Sequence, residues 1–151
     1  MNDVQLPSAG HQATPARTLT QPCILHVCTS CRPTGMPREP KANRPGFTLY
    51  QELSDAVDRS PLRERVTVRA AECLSVCPRP CGIALSSPDS WSYLFGDQKA
   101  TVTETTSSII DCLAVYLESP DGFMPRKTRP KSLRSSILGR VPPIKEVGEC
   151  T

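Results

Sequence analysis

The chain lacks the long apolar runs of membrane-spanning proteins, since none approaches the roughly 20 residues that a transmembrane helix needs. Residues 1–22 also lack the apolar stretch of a secretory signal. We therefore predict a cytoplasmic protein with no membrane partner. In that reducing compartment, clustered cysteines are typical of metal or redox sites rather than of structural disulfides.

Aromatic residues are scarce, at 5% of the chain, and apolar residues make up only 38%. A core this modest commonly depends on a metal or on cross-links for stability. The motifs of independent catalysis are missing too: there is no phosphate-binding glycine loop, no paired carboxylates beside a nucleophile and no Ser/His/Asp arrangement. An independent enzyme is therefore not favoured, and a subunit of an enzyme complex stays open.

The chain does have many cysteines, and five of the eight form two tight clusters. The first is Cys28-Thr-Ser-Cys31, and the second is Cys73-Leu-Ser-Val-Cys77-Pro-Arg-Pro-Cys81. Thiolates two or three residues apart on a turning backbone can reach one metal ion or one iron–sulfur cluster. The first four are the predicted cofactor ligands, and Cys81 is a fifth candidate metal ligand that could face the same site.

The remaining cysteines and His26 are not predicted ligands. Cys112 lies in a predicted helix as a small packing residue, Cys23 lies in a predicted strand, and Cys150 is a tail thiol. His26 has the strand parity of Cys28, but a histidine there is more typical of a packed, hydrogen-bonded residue than of a ligand.

The apolar pattern predicts a small α/β sandwich in the order β-α-β-β-β-α. The predicted strands span residues 23–27, 66–70, 83–85 and 91–95, and the predicted helices span 47–59 and 103–117. Thr101 and Glu104 have the spacing of a capping box ahead of the second helix. Because a helix joins the first two strands, they should be parallel, and the cysteine turns that follow them should emerge at one end of the sheet.

Two flexible tails are predicted outside this domain of residues 23–118. Residues 1–22 are polar and unpatterned, which predicts disorder. Residues 119–151 form a proline-rich extension with seven Lys or Arg against three Asp or Glu, and we expect it to pack loosely on the domain. Nucleic-acid binding is not favoured there, because Phe123 is the one aromatic residue among the basic ones, so an acidic partner is the alternative.

The second half of the chain resembles the C-terminal half of thioredoxin-like [2Fe-2S] ferredoxins. There a strand, a C-L-x-x-C turn, a β-hairpin containing an aromatic residue and a helix follow one another. In this chain the turn is Cys73-Leu74-Ser75-Val76-Cys77, and the hairpin carries Trp91 and Tyr93. The resemblance implies a small thioredoxin-like, ferredoxin-type sandwich.

Residues Leu25 to Pro143 are similar to the bacterial DUF1636 family, whose members are expected to bind metal. The matching features are Cys28-x-x-Cys31-Arg32, Cys73-Leu74-x-x-Cys77-x-Arg79-x-Cys81, Trp91-Ser92-Tyr93-Leu94-Phe95-Gly96, Asp121-Gly122 and Arg140-Val141-Pro142-Pro143. This resemblance implies a metal-binding protein, and the family's gene neighbourhoods imply a link to cobalamin metabolism.

These residues are compatible with three functions. The leading hypothesis is an electron-transfer or accessory redox protein with a [2Fe-2S] cluster, in which Arg32 and Arg79 lie beside the sulfurs and attract an acidic protein redox partner or enzyme complex. The second is a structural or carrier site for zinc or cobalt. The third is a thiol–disulfide redox protein that uses Cys28 and Cys31. Association as a homodimer stays open.

Overall fold

The computed structural model describes residues 22–144, so the predicted N-terminal tail up to residue 21 and residues 145–151 lie outside it. The strands are β1 (Cys23–Cys28), β2 (Val66–Ala71), β3 (Ile83–Ser86), β4 (Ser92–Phe95) and β5 (Ile137–Val141). The α-helices are α1 (Pro45–Asp58), α2 (Thr103–Glu118) and α3 (Ser132–Ser135). Short 3-10 helices span Lys41–Asn43, Pro61–Glu64 and Arg126–Thr128.

The five strands form one mixed sheet in the order β2-β1-β3-β4-β5. β1 and β2 are parallel, and the other neighbouring pairs are antiparallel. The predicted α/β class, the order of the elements through α2 and the parallel first pair are therefore confirmed. None of the helices described between residues 22 and 144 has the length and hydropathy needed to cross a bilayer.

One face of the sheet carries the core. Alternate residues of β1 are fully buried, as are Ile83 and Leu85 of β3, and the helices contribute apolar residues spaced by three or four to the same cluster. In α1 these residues are Leu49, Leu53 and Val57. Pro45 begins this helix at a position where the missing N–H costs nothing, so the 14-residue segment is well suited to be helical.

The predicted capping box at α2 is wrong. Val102 occupies the N-cap position of α2, and no side chain there accepts a capping hydrogen bond. The N–H of Thr101 instead donates to the two carboxylate oxygens of Glu52 in α1, at 2.9 and 3.1 Å. A residue from another helix therefore satisfies the backbone at this end, and a contact between residues so far apart in the chain leaves no local spacing signal.

The domain also continues beyond residue 118, where the sequence pattern places its end. β5 pairs with β4 at the edge of the sheet, and the side chains of Met124 and Leu133 are fully buried. The N–H of Met124 donates to the hydroxyl of Tyr93 at 2.7 Å. The pattern concealed this strand because Gly139 and Arg140 interrupt its apolar residues, as is common on an edge strand.

Leu133→Ala tests whether this segment is part of the core. We expect the substitution to lower the free energy of unfolding by about 2–5 kcal/mol, because it leaves a cavity at a site with no solvent exposure. Urea denaturation followed by circular dichroism measures the change. Ile144→Ala is the control, since Ile144 is 87% exposed and should change stability little. Equal effects of the two variants would contradict the packing.

Candidate metal centre

The two cysteine turns lie at the same end of the sheet, as predicted. The parallel register of β1 and β2 sets Cys28 opposite Ala71, two residues before Cys73. The N–H of Thr29 donates to the carbonyl oxygen of Ala71 at 2.9 Å, and the backbone N–H of Leu74 lies against the Cys28 sulfur. The turn after β2 therefore folds over the turn after β1.

Three of the five clustered cysteines are buried together. Cys28, Cys31 and Cys81 are only 1%, 4% and 3% exposed. The thiol of Cys31 lies between the other two and interacts with both by hydrogen bonding. Gly82, which precedes β3, connects this row of three sulfurs to the sheet. Its N–H donates to the Cys31 sulfur at 3.4 Å, and its carbonyl oxygen accepts from the Cys28 N–H at 3.0 Å.

Hydrogen bonding orders the pKa values along this row. The Cys28 thiol has a raised pKa because it donates to Cys31 and because it is buried. At Cys31, accepting from Cys28 lowers the pKa, but donation to Cys81 and burial outweigh that effect, so the pKa is raised. At Cys81 the bond from Cys31 lowers the pKa despite burial. In the metal-free protein the thiolate is therefore favoured at the Cys81 end of the row.

The other two clustered cysteines, Cys73 and Cys77, are exposed. The N–H of Ser75 donates to the Cys73 sulfur at 3.3 Å. Both cysteines line a cavity of about 800 Å³ that we call the cysteine cavity. Its sulfur-bearing and charged lining residues are Cys31, Cys73, Cys77, Arg32, Arg38, Arg44 and Glu72. One member of the first cluster and two of the second therefore face the same space.

Arginines give the cysteine cavity a mostly positive wall. Arg44 donates from Nε to the carbonyl oxygen of Arg38 at 2.7 Å, and its Nη2 lies 3.7 Å from the carboxylate of Glu39. Arg32 donates to the carbonyl oxygen of Met36. The side chains of Arg32 and Arg44 are thus held by backbone carbonyls of their own loop.

Arg79 does not contribute to this wall, although the sequence places it beside the sulfurs. It forms an ion pair with Asp97, to which its Nε donates at 2.6 Å, and it lines a separate cavity that also contacts Gln98. The charge of Arg79 is therefore neutralised locally. The arginines that reach the cysteine cavity in its place, Arg38 and Arg44, lie in the basic loop between β1 and α1.

Gly46, near the start of α1, has a role at the site that the sequence pattern does not reveal. A Cβ atom at this position would lie 2.2 Å from the carbonyl oxygen of Cys28 and 3.1 Å from the Cβ of Cys31. The Gly46 N–H donates to the carbonyl oxygen of Cys31 at 3.0 Å. The helix therefore packs directly on the backbone of the first cysteine turn, which only glycine permits.

The donor set suits a soft metal, with the sulfurs arranged as two groups. Backbone N–H groups lie against the sulfurs of Cys28, Cys31 and Cys73, as is common around iron–sulfur clusters. Among residues 22–144, no three Cys, His, Asp or Glu side chains converge as ligands of one ion. Cys81 lies next to Cys31 but lines a different cavity from Cys73 and Cys77. The candidate centre therefore consists of neighbouring cysteine sulfurs, and the described residues form no ready-made site for a single ion.

Comparison with known proteins identifies the fold. The model of a family described as "Protein of unknown function (DUF1636)" matches residues 25–143. No curated protein matches the chain. A solved structure described as a thioredoxin-like [2Fe-2S] ferredoxin from Aquifex aeolicus is similar with a TM-score of 0.52 and 16% identity, over 82% of this chain and 96% of that chain. The predicted thioredoxin-like fold and the predicted family resemblance are confirmed.

Gly46→Ala tests the close approach of α1 to the first cysteine turn. We expect it to lower the free energy of unfolding by about 1–3 kcal/mol, because the added methyl group forces backbone atoms apart. The matched control is Gly139→Ala in β5, where nothing lies within 4 Å of the added atom. Chemical denaturation of both variants measures the difference, and an unaffected Gly46→Ala protein would contradict the geometry.

Thiol accessibility gives a second prediction. In metal-free, reduced protein at mildly alkaline pH, iodoacetamide should modify Cys73 and Cys77 rapidly, because they are exposed, and Cys112 only after unfolding. Burial raises the pKa of Cys112 to about 12, so the reactive thiolate stays scarce until the pH approaches that value. Peptide mapping by mass spectrometry, with and without urea, measures each site. Early labelling of Cys112 in the folded protein would contradict its burial.

Proposed function

The chain belongs to the DUF1636 family, and on that premise we propose that it binds a [2Fe-2S] cluster and acts as an electron-transfer or accessory redox protein. The proposed ligands are Cys28, Cys31, Cys73 and Cys77. The observation that carries the proposal is that both cysteine turns reach one cavity, lined by Cys31, Cys73 and Cys77, while the turn after β2 covers Cys28.

The division of the sulfurs favours this cofactor over a single zinc ion. One zinc ion needs four ligands around one point. Here a buried pair, Cys28 and Cys31, and an exposed pair, Cys73 and Cys77, approach from neighbouring turns. Two pairs of thiols suit a two-iron centre, whose four protein ligands are shared between its irons. A [2Fe-2S] cluster, when bound, accepts and donates one electron at a time.

The chain's own groups would set the potential and the partner. N–H groups of Leu74 and Gly82 lie against ligand sulfurs and stabilise negative charge there. Arg32 and Arg38 at the cysteine cavity add positive charge, which favours the reduced state. The exposed edge at Cys73 and Cys77 is the shortest route for electrons out of the site, and its basic surroundings suit an acidic protein partner.

Several finer features stay predictions. They are the cytoplasmic location, the homodimer, the link to cobalamin metabolism and the identity of the redox partner or enzyme complex. Cys81 is the fifth predicted metal ligand, and we assign it outside the four cluster ligands because it lies behind Cys31, away from the cysteine cavity.

Anaerobic purification or reconstitution with iron and sulfide tests the cofactor. We expect visible absorption bands with equal amounts of iron and acid-labile sulfide, and an electron paramagnetic resonance signal after reduction by dithionite. Cys77→Ala should abolish the bands. Cys112→Ala is the matched control and should keep them, because Cys112 is a buried residue of α2 that does not line the cysteine cavity. Cys81→Ala should also keep them.

Other outcomes would contradict particular parts of the proposal. A colourless protein with one tightly bound zinc per chain would replace the redox function by a structural or carrier site. Intact bands in Cys77→Ala would remove Cys77 from the ligand set. Bands lost in Cys81→Ala, with the fold retained by circular dichroism, would make Cys81 a ligand.

A further inference from the structure

Another cavity lies far along the chain from the five clustered cysteines, between β5 and the segment that leads into the 3-10 helix Arg126–Thr128. It has a volume of about 510 Å³, and we call it the arginine cavity. Arg126, Arg129 and Arg140 line it together with Phe123. Three guanidinium groups around one small space repel one another unless an anion lies between them.

Arg129 is the most unusual of the three because it is buried. It is only 6% exposed, and its Nε and Nη1 atoms have no hydrogen-bond partner among the described residues. Burial lowers its pKa, and the charges of Arg126 and Arg140 lower it further. An arginine is almost never buried without a partner, since the cost of removing its charge from water must be offset.

The neighbours of Arg129 do not offset that charge. The acidic groups acting on it are the hydroxyl of Tyr93 and the thiol of Cys112, and burial keeps that thiol protonated at neutral pH. Between residues 22 and 144, no carboxylate lies within ion-pair distance of Arg126, Arg129 or Arg140. Arg44, Arg63 and Arg79 do have such carboxylates, as in the ion pair of Arg79 with Asp97.

Aromatic rings hold Arg140 in place at this cavity. Its guanidinium carbon lies 4.9 Å from the ring centroid of Phe123 and 5.4 Å from that of Trp91. The two rings contact each other edge to face, with centroids 5.4 Å apart. These cation–π contacts do not use the N–H groups of the guanidinium as hydrogen-bond donors, so those groups can bind an acceptor.

We propose that the arginine cavity binds a phosphate group, either as free phosphate or as part of a small phosphomonoester. Phosphate has several acceptor oxygens and more than one negative charge, which matches forked donors from three arginines. It would place negative charge beside the buried guanidinium of Arg129 and relieve the repulsion from Arg126 and Arg140. The binding does not depend on the metal centre.

Calorimetric titration of the full chain with inorganic phosphate tests this site, in chloride buffer of constant ionic strength. We expect saturable binding and a rise in the midpoint of thermal unfolding. Arg126→Gln and Arg140→Gln should each weaken binding by about tenfold or more. Lys127→Gln is the matched control: it removes the same charge from the neighbouring position, and Lys127 does not line the cavity. Its affinity should equal that of the unaltered chain.

Arg129→Met gives an independent measurement. If the buried guanidinium is destabilising without a bound anion, this variant should be at least as stable as the unaltered chain in phosphate-free buffer. Phosphate should no longer raise the unfolding midpoint of the variant. Should the variant fail to fold, the Arg126 and Arg140 variants still decide the proposal. Phenyl phosphate distinguishes the sources, because tighter binding than inorganic phosphate indicates a phosphomonoester and equal or weaker binding indicates free phosphate.

Two results would overturn the proposal. One is that neither phosphate nor phenyl phosphate binds. The other is that Lys127→Gln weakens binding as much as Arg126→Gln, which would indicate a diffuse attraction to the basic surface. The Cys77→Ala chain should bind phosphate normally, so a failure of the cluster proposal and a failure of this one are separable.

Discussion

The parallel pairing of β1 and β2 is the constraint on which the candidate metal centre depends. Parallel strands end at the same edge of a sheet, so the chain segments that leave them start as neighbours. The register places Cys28 opposite Ala71, and Cys73 follows within two residues. A slip of one residue in this register would turn the side chain of Cys28 to the other face of the sheet and separate the two cysteine turns.

Around that constraint, the structure divides five similar side chains into two chemical environments. Gly82 and the start of α1 cover the first turn, which buries Cys28 and Cys31, whereas Cys73 and Cys77 remain exposed. The buried thiols of Cys28 and Cys31 have raised pKa values and are shielded from oxidants, while the exposed pair is accessible to solvent and partners. A centre with one protected side and one accessible side suits the electron transfer that we propose, because such a site needs protection from water and contact with a partner.

Sequence patterns predicted most of the fold because the signals involved are local. The spacing of Leu49, Leu53 and Val57 is enough to predict α1, and the strand–helix–strand order is enough to predict the parallel pair. What the patterns could not predict depends on contacts between distant residues. The carboxylate of Glu52 that binds the Thr101 N–H and the close approach of Gly46 to Cys28 are both of this kind. The local spacing of the cysteines was enough to predict which residues are candidate ligands. Their division into a buried and an exposed pair depends on distant contacts and could not be predicted.

Contacts between distant residues also shape the basic C-terminal segment. A run of Lys and Arg with prolines is usually a solvated tail, because each charge can reach water at little cost. That interpretation requires exposed side chains, yet here β5 joins the sheet, and Met124 and Leu133 enter the core. Packing the segment in this way buries Arg129, whereas Arg126 and Lys127 on the same turn stay exposed. Between residues 22 and 144 this guanidinium has no carboxylate partner, which follows from the packing of the segment that leads into β5. A charge that would be ordinary in a solvated tail is thus a specific feature of the domain.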